Sequence, residues 1–285
     1  MKADAALFAE FRRLTQDFII VPDAWDIMSA VVMQTCGYKA ISTTSVGLGF
    51  AIGAPADIII PRDDMLRVVR DICAAVKVPV SVDLESGYAD TIDGVEEVVR
   101  MTIDAGAAAV ALEDSDGVPG KALRPAEEHA ERIRAARRAA DKEKVALFIN
   151  GRSDCFWLND GKSDADKVAE SIRRGNLYLD AGANGVFISS SRPLSPAILR
   201  ELASGLRGPL SVLFSSPEIP VADYAGLGVK RLILGSLPMR AQTGYMMKAL
   251  NAVKDTGDSS GFQQFAIPTK DINGLVRPFW QTTRT

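Results

Sequence analysis

Histidine is almost absent from this 285-residue chain, which carries one, His129. The three cysteines, Cys36, Cys73 and Cys155, are odd in number and widely scattered. A histidine-rich zinc site, a Ser-His-Asp triad and a disulfide framework therefore have little material to be built from. Neither sign of charge dominates: 33 Lys and Arg against 36 Asp and Glu leave a net charge of -3, so nothing draws nucleic acid or an anionic membrane surface. No apolar run approaches the ~18 to 20 residues that span a bilayer. Acids interrupt the first ten residues where a signal peptide would have its apolar stretch. The expected location is cytoplasmic.

What is there reads as a repeating unit. Short apolar, β-branched runs alternate with amphipathic helical stretches, beginning with an amphipathic leader at 5–15 and a strand at 18–25. Seven more strands follow at 40–45, 78–86, 108–115, 145–152, 185–189, 209–214 and 229–235. Eight strand-helix units with short connections and apolar rather than alternating strands predict an α/β fold, a parallel (β/α)8 TIM barrel over residues 1–254. Residues 255–285 hold Gly257, Ser259, Ser260 and Gly261, then Phe262, Phe265, Phe279 and Trp280. This predicts a joint followed by an apolar tail that packs on the barrel or on a neighbouring subunit.

The chemistry collects at the strand ends. Val78-Pro-Val-Ser-Val-Asp-Leu-Glu-Ser86 places Asp83 and Glu85 two residues apart, and Ala108 to Ser115 ends in Glu113 and Asp114. The C-terminal ends of the strands line the active face of such barrels. Asp23, Thr44, Ser45, Arg152, Asp154, Ser189 to Ser191 and Ser215 gather there as well. Carboxylates with almost no histidine fit an oxygen-ligated divalent cation such as Mg²⁺, and equally fit ion pairs or helix caps. The glycines of Val46-Gly-Leu-Gly-Phe-Ala-Ile-Gly53 read as a loop whose backbone approaches a ligand closely. His129, in a strongly charged helical stretch, reads as a solvated surface residue, and Cys155 as an inert thiol.

These residues carry a resemblance. Pro22-Asp-Ala-Trp-Asp, Ile41-Ser-Thr-Thr-Ser-Val-Gly, Pro61-Arg-Asp-Asp-Met-Leu, Asp83-Leu-Glu-Ser-Gly-Tyr88, Leu112-Glu-Asp-Ser and Ile149-Asn-Gly-Arg-Ser-Asp154 stand in one order from about 21 to 254. Together they resemble the isocitrate lyase and phosphoenolpyruvate mutase superfamily. The resemblance implies a Mg²⁺-dependent enzyme, with Mn²⁺ as a substitute ion, acting on the enolate of pyruvate or a related 2-oxo acid. Asp83, Glu85 and Glu113 match the metal-site acids, directly or through water. Thr44, Ser45 and Val46 match the segment that holds the substrate carboxylate, and Arg152 its arginine clamp. Asp57 matches a further loop aspartate, and Ser189 stands where mutase-type members place a histidine. The cysteine-bearing gating loop of the lyases is replaced by Asp114-Ser-Asp-Gly-Val-Pro-Gly-Lys-Ala-Leu123, and the asparagine of the mutase loop is missing too. Lys121 alone could stand in for one role of that loop.

The reading that follows is a lyase or decarboxylase of a small 2-oxo or 2-hydroxy dicarboxylate. Carbon–phosphorus chemistry, of the phosphonomutase or phosphonopyruvate hydrolase type, is the runner-up. A non-catalytic barrel that binds a 2-oxo acid is the third. By the same resemblance the partners are a small carboxylate and further copies of the chain, in a dimer or tetramer that exchanges a C-terminal helix.

Overall fold

Pro22 divides the first barrel strand. With no N–H to give to the ladder, it separates β1 (Ile19–Val21) from β2 (Asp23–Ala24). In the computed structural model, which describes residues 4–115, 122–158 and 160–283, β1 pairs with the last strand, β9 (Val229–Ile233), and β2 with β3 (Ile41–Thr43). The two pieces thus close the sheet. Between them run β4 (Val80–Asp83), β5 (Ala109–Glu113), β6 (Phe148–Phe156), β7 (Gly185–Ser190) and β8 (Leu210–Leu213), each parallel to its neighbours in chain order. This is the expected TIM-type barrel, with eight strand positions made from nine strands.

The outer layer is α2 (Ile27–Thr35), α3 (Ser45–Ala51), α4 (Arg62–Ala75), α5 (Ile92–Asp104), α6 (Ala126–Glu143), α7 (Asp164–Asp180) and α8 (Pro196–Gly205), with a 3₁₀ helix at Val221–Leu227. Local chemistry starts several of these. Asp26 and Ser29 form a reciprocal capping box at α2, and Ser163 and Asp166 another at α7. The leader forms α1 (Ala5–Leu14), whose Phe8 and Phe11 are buried. Phe11 meets Phe148, at the start of β6, edge-on at 5.3 Å. The N-terminal ends of the strands are thereby covered, and the C-terminal ends remain as the open face.

Two sequence expectations are corrected here. The glycine-bearing stretch after β3 is helical rather than a loop. Thr44 caps α3 through its hydroxyl, which accepts from the Gly47 amide, and tertiary packing outweighs the cost of about 1 kcal/mol that each glycine brings to a helix. His129 is fully buried, not solvated. The charges of α6 hide an alanine stripe, Ala126, Ala130, Ala136 and Ala140, that faces the sheet and takes His129 with it. Its Nε2 lies 3.1 Å from the Leu112 carbonyl, its ring meets Tyr178 edge-on at 4.8 Å, and burial pushes its pKa down to about 3.

Beyond the barrel, α9 (Leu237–Thr256) stands largely free of it, with Ala249 its one buried residue. The tail is helical: α10 (Ser260–Phe265) packs on α9, and α11 (Thr269–Thr283) folds back onto α2 and α4. Among the described residues no helix is long and apolar enough to cross a membrane.

Candidate active site

Strand alternation sorts the side chains at the open face. Phe148, Asn150, Arg152 and Asp154 share one face of β6, and Glu113 is the register partner of Arg152. Arg152 is the hub. Its Nε and Nη2 donate to the two oxygens of Asp154 at 2.7 and 3.1 Å, and its Nη1 lies 2.7 Å from Glu113 Oε2 and 3.8 Å from Asp83 Oδ1. Its guanidinium also sits over the Phe187 ring, 5.6 Å from the centroid. The Ser115 hydroxyl bridges Glu113 and Asp154 at 3.1 and 2.7 Å.

Asp83 takes its place from the neighbouring strand. Its Oδ2 accepts from the Ser45 hydroxyl at 2.9 Å and the Ser45 amide at 3.4 Å, and its own amide donates to Thr43 Oγ1. Glu85 follows on a left-handed backbone, φ 48°, and its carbonyl accepts from the Glu113 amide at 2.8 Å.

Four acids, Asp83, Glu85, Glu113 and Asp154, thus crowd one guanidinium. Burial, and then the charge of Asp83, push Glu85 up to about 7. Burial raises Glu113 well above the usual range too; Arg152 opposes this, while Asp154, Glu85 and Asp83 add to it. Against the cost of its burial, Asp154, Glu113 and Asp83 hold the Arg152 proton more tightly than usual. Glu113 Oε2, though close to Arg152, is buried and accepts no aligned hydrogen bond. Among the described residues, no three His, Cys, Asp or Glu side chains are arranged to hold a metal ion by themselves.

The remaining expected residues fall differently. Thr44 is buried as the cap of α3, and Ser45 and Val46 form its first turn. Ser189 is buried and accepts from the Trp157 indole at 2.6 Å, rather than meeting the acids. Asp57 lies in an exposed turn between α3 and α4 and, among the described residues, makes no ion pair with the cluster. Lys121 lies outside the described residues. Cys155 is buried behind the site with its thiol 3.3 Å from Ser153, and burial raises its pKa, in keeping with an inert thiol.

Among the described residues, two further strand-end acids make no ion pair with Arg152. Asp23 accepts from the Leu234 and Gly235 amides at 2.9 and 2.6 Å, and burial raises its pKa to about 7. Asp114 points outward: its Oδ2 accepts from the Tyr178 hydroxyl at 2.7 Å and Arg174 at 3.2 Å, and its Oδ1 from the Asp154 amide at 2.9 Å. Sequence reasoning missed Arg174 and Tyr178. Their spacing of four along α7, on its buried side, is the signal they offered.

Residues 11–254 match the family described as phosphoenolpyruvate phosphomutase. The chain belongs to that family. It is 33% identical over 237 residues to an uncharacterised protein of Mycobacterium tuberculosis, covering 83% of this chain and 84% of that one. It is 25% identical over 268 residues to the 2-methylisocitrate lyase of Halalkalibacterium halodurans, covering 90% and 85%. A solved structure from Burkholderia cenocepacia, provisionally named a phosphonomutase, superposes with a TM-score of 0.81 at 34% identity, over 86% of this chain and 99% of that one. Proteins similar to this chain thus carry the names of both lyases and mutases.

Proposed function

We propose that this chain is a divalent-metal-dependent carbon–carbon lyase, decarboxylation included, acting on a small 2-oxo or 2-hydroxy dicarboxylate. The observation that carries the reading is the excess of buried negative charge around Arg152. Asp83, Glu113 and Asp154 reach one guanidinium, with the Glu85 carboxyl in the field of the same groups, and Glu113 Oε2 is a buried oxygen without an aligned donor; this surplus of acids invites a further cation. The donor set fits Mg²⁺, or Mn²⁺, held by one or two of Asp83, Glu85 and Glu113 with water completing its shell, the usual manner for Mg²⁺. When bound, the ion supplies Lewis-acid polarisation of the substrate oxygen beside the bond to be cleaved.

The chain's own groups bind and orient. The hydrogen bonds of Arg152 to Asp154 use two of its five N–H groups, which leaves donors on both terminal nitrogens for a substrate carboxylate. The first-turn amide of Val46, next in the chain to the Ser45 that donates to Asp83, suits the same carboxylate. Loss of CO₂ or of an easily departing fragment asks for no strong protein acid, in keeping with a gating loop that has no cysteine.

Carbon–phosphorus chemistry is the second reading, favoured by the likeness to the Burkholderia protein. Purified protein with Mg²⁺ is incubated with oxaloacetate, substituted malates and phosphonopyruvate, followed by ¹H and ³¹P NMR. Pyruvate with CO₂ from oxaloacetate, or a 2-oxo acid with a saturated carboxylate from a malate, is the expected result. Phosphorus turnover would replace the first reading with the second, and an unchanged panel would overturn both.

The reading includes assembly into a homo-oligomer in the cytoplasm. It is supported by α9, which exposes Met246, Met247, Leu250 and Val253 along one helix, with Met247 59% and Leu250 53% exposed. Light scattering on Met247→Glu/Leu250→Glu protein is expected to find a smaller species than the wild type.

A further inference from the structure

Arg132 is among the largest fully buried side chains of the molecule, 2% exposed, and it belongs to no part of the acid cluster. It reaches from α6 to the loop between β4 and α5. There its Nη1 donates to the Ser86 carbonyl at 3.0 Å and the Ala89 carbonyl at 2.8 Å, and its Nη2 to the Asp90 carbonyl at 3.3 Å. This is the loop that delivers Glu85. Its backbone turns through three left-handed residues, Glu85 at φ 48°, Gly87 at 109° and Tyr88 at 52°. Glycine takes that conformation readily, whereas Glu85 and Tyr88 do not. Such outliers persist only where the surroundings over-determine them, and they gather at functional sites.

The surroundings here can be named. The Glu85 carbonyl is tied to the Glu113 amide, the Gly87 amide closes on the Leu84 carbonyl at 2.7 Å, and Arg132 takes three of the carbonyls that follow. A methionine would fill similar volume without the cost of desolvating a cation. What the guanidinium adds is a planar, rigid fork of donors that can hold several carbonyls in one arrangement, which a lysine ammonium cannot do.

We propose that Arg132 is a positioning residue of the active site, which locks the loop from behind so that the Glu85 carboxylate stays in the acid cluster beside Asp83 and Arg152. The inference rests on the role proposed above for Glu85. Arg132 touches neither substrate nor metal and acts through the loop backbone.

The test uses the full chain as wild type, Arg132→Lys, Arg132→Met, Glu85→Gln and the Arg132→Lys/Glu85→Gln double variant. Amide hydrogen exchange by mass spectrometry and Mn²⁺ affinity by calorimetry are measured on each. Exchange across 84–91 should quicken by about 10-fold in Arg132→Lys while the strands keep their protection. Mn²⁺ binding should weaken by about 10- to 100-fold, the usual effect of losing a group that supports a metal ligand. It should weaken no further when Arg132→Lys is added to Glu85→Gln. Unchanged exchange at 84–91, or a weakening that adds in full to Glu85→Gln, overturns the proposal. Should wild type take up no Mn²⁺, the metal reading fails on its own, and exchange at 84–91 still decides: local quickening sustains the clamp and its absence removes it. Arg132→Lys carries the test if Arg132→Met does not fold.

Discussion

Glu113 and Asp114 are neighbours in the chain, carry the same chemical group and are both buried to 1% exposure or less, yet their surroundings are opposite. Asp114 faces outward into Arg174, the Tyr178 hydroxyl and the Asp154 amide, so that its charge is answered on every side. Glu113 faces the mouth and shares one guanidinium with three other acids. A carboxylate whose partners are complete holds the fold together. One left in a surplus of like charge is held there at a cost, which supports the cation-binding role proposed for it.

The sharpest way to break this comparison is Asp114→Ala. Removing one member of a buried, hydrogen-bonded charge pair should cost about 3–5 kcal/mol of stability, read by urea denaturation, because Arg174 loses its buried partner. A loss as small as that at an exposed site would contradict the structural role. Next is Arg152→Lys, which keeps the positive charge and loses the fork on Asp154. Turnover should fall by about 10²- to 10³-fold with a smaller loss of stability, and steady-state kinetics beside a melting curve separates the two.

His129 tests the outward region by pH. Its folded pKa is about 3 against an ordinary 6.5, so the unfolded chain binds the proton more readily. Stability from this residue is complete above 6.5 and is lost as pH falls toward 3. His129→Gln should therefore lose about 2 kcal/mol less than wild type on going from pH 7 to pH 5, measured by denaturation at the two values. An identical pH slope in both proteins would contradict the buried, neutral ring. The smallest effect belongs to Glu113→Gln. Since it relieves repulsion, stability should change by less than about 1 kcal/mol or rise, while Mn²⁺ binding weakens. A loss comparable to Asp114→Ala would erase the distinction between the two acids.

The barrel was legible because its evidence is repetition: each apolar run was followed by a helical stretch, and the strands fell where the runs did. The acids at the ends of β4 and β5 were legible as a group, but not the division of labour within it. Alternation along β5 already sets Glu113 and Asp114 on opposite faces, and grouping both at the mouth ignored that rule. The helix α3 was hidden by its glycines, which packing overrides, and the burial of His129 by the charges on either side of it. Arg132 could not be found from the sequence at all, because its partners are backbone carbonyls more than forty residues away.

The central claim is that the acids around Arg152 await a hard cation on which a keto acid is laid. Calorimetric titration of Mn²⁺ into wild type and Asp83→Ala, with and without oxalate, tests it most directly. Wild type should bind one ion, more tightly in the presence of oxalate, and Asp83→Ala should lose both responses. Equal binding by the two proteins, or no uptake by wild type, would contradict the claim.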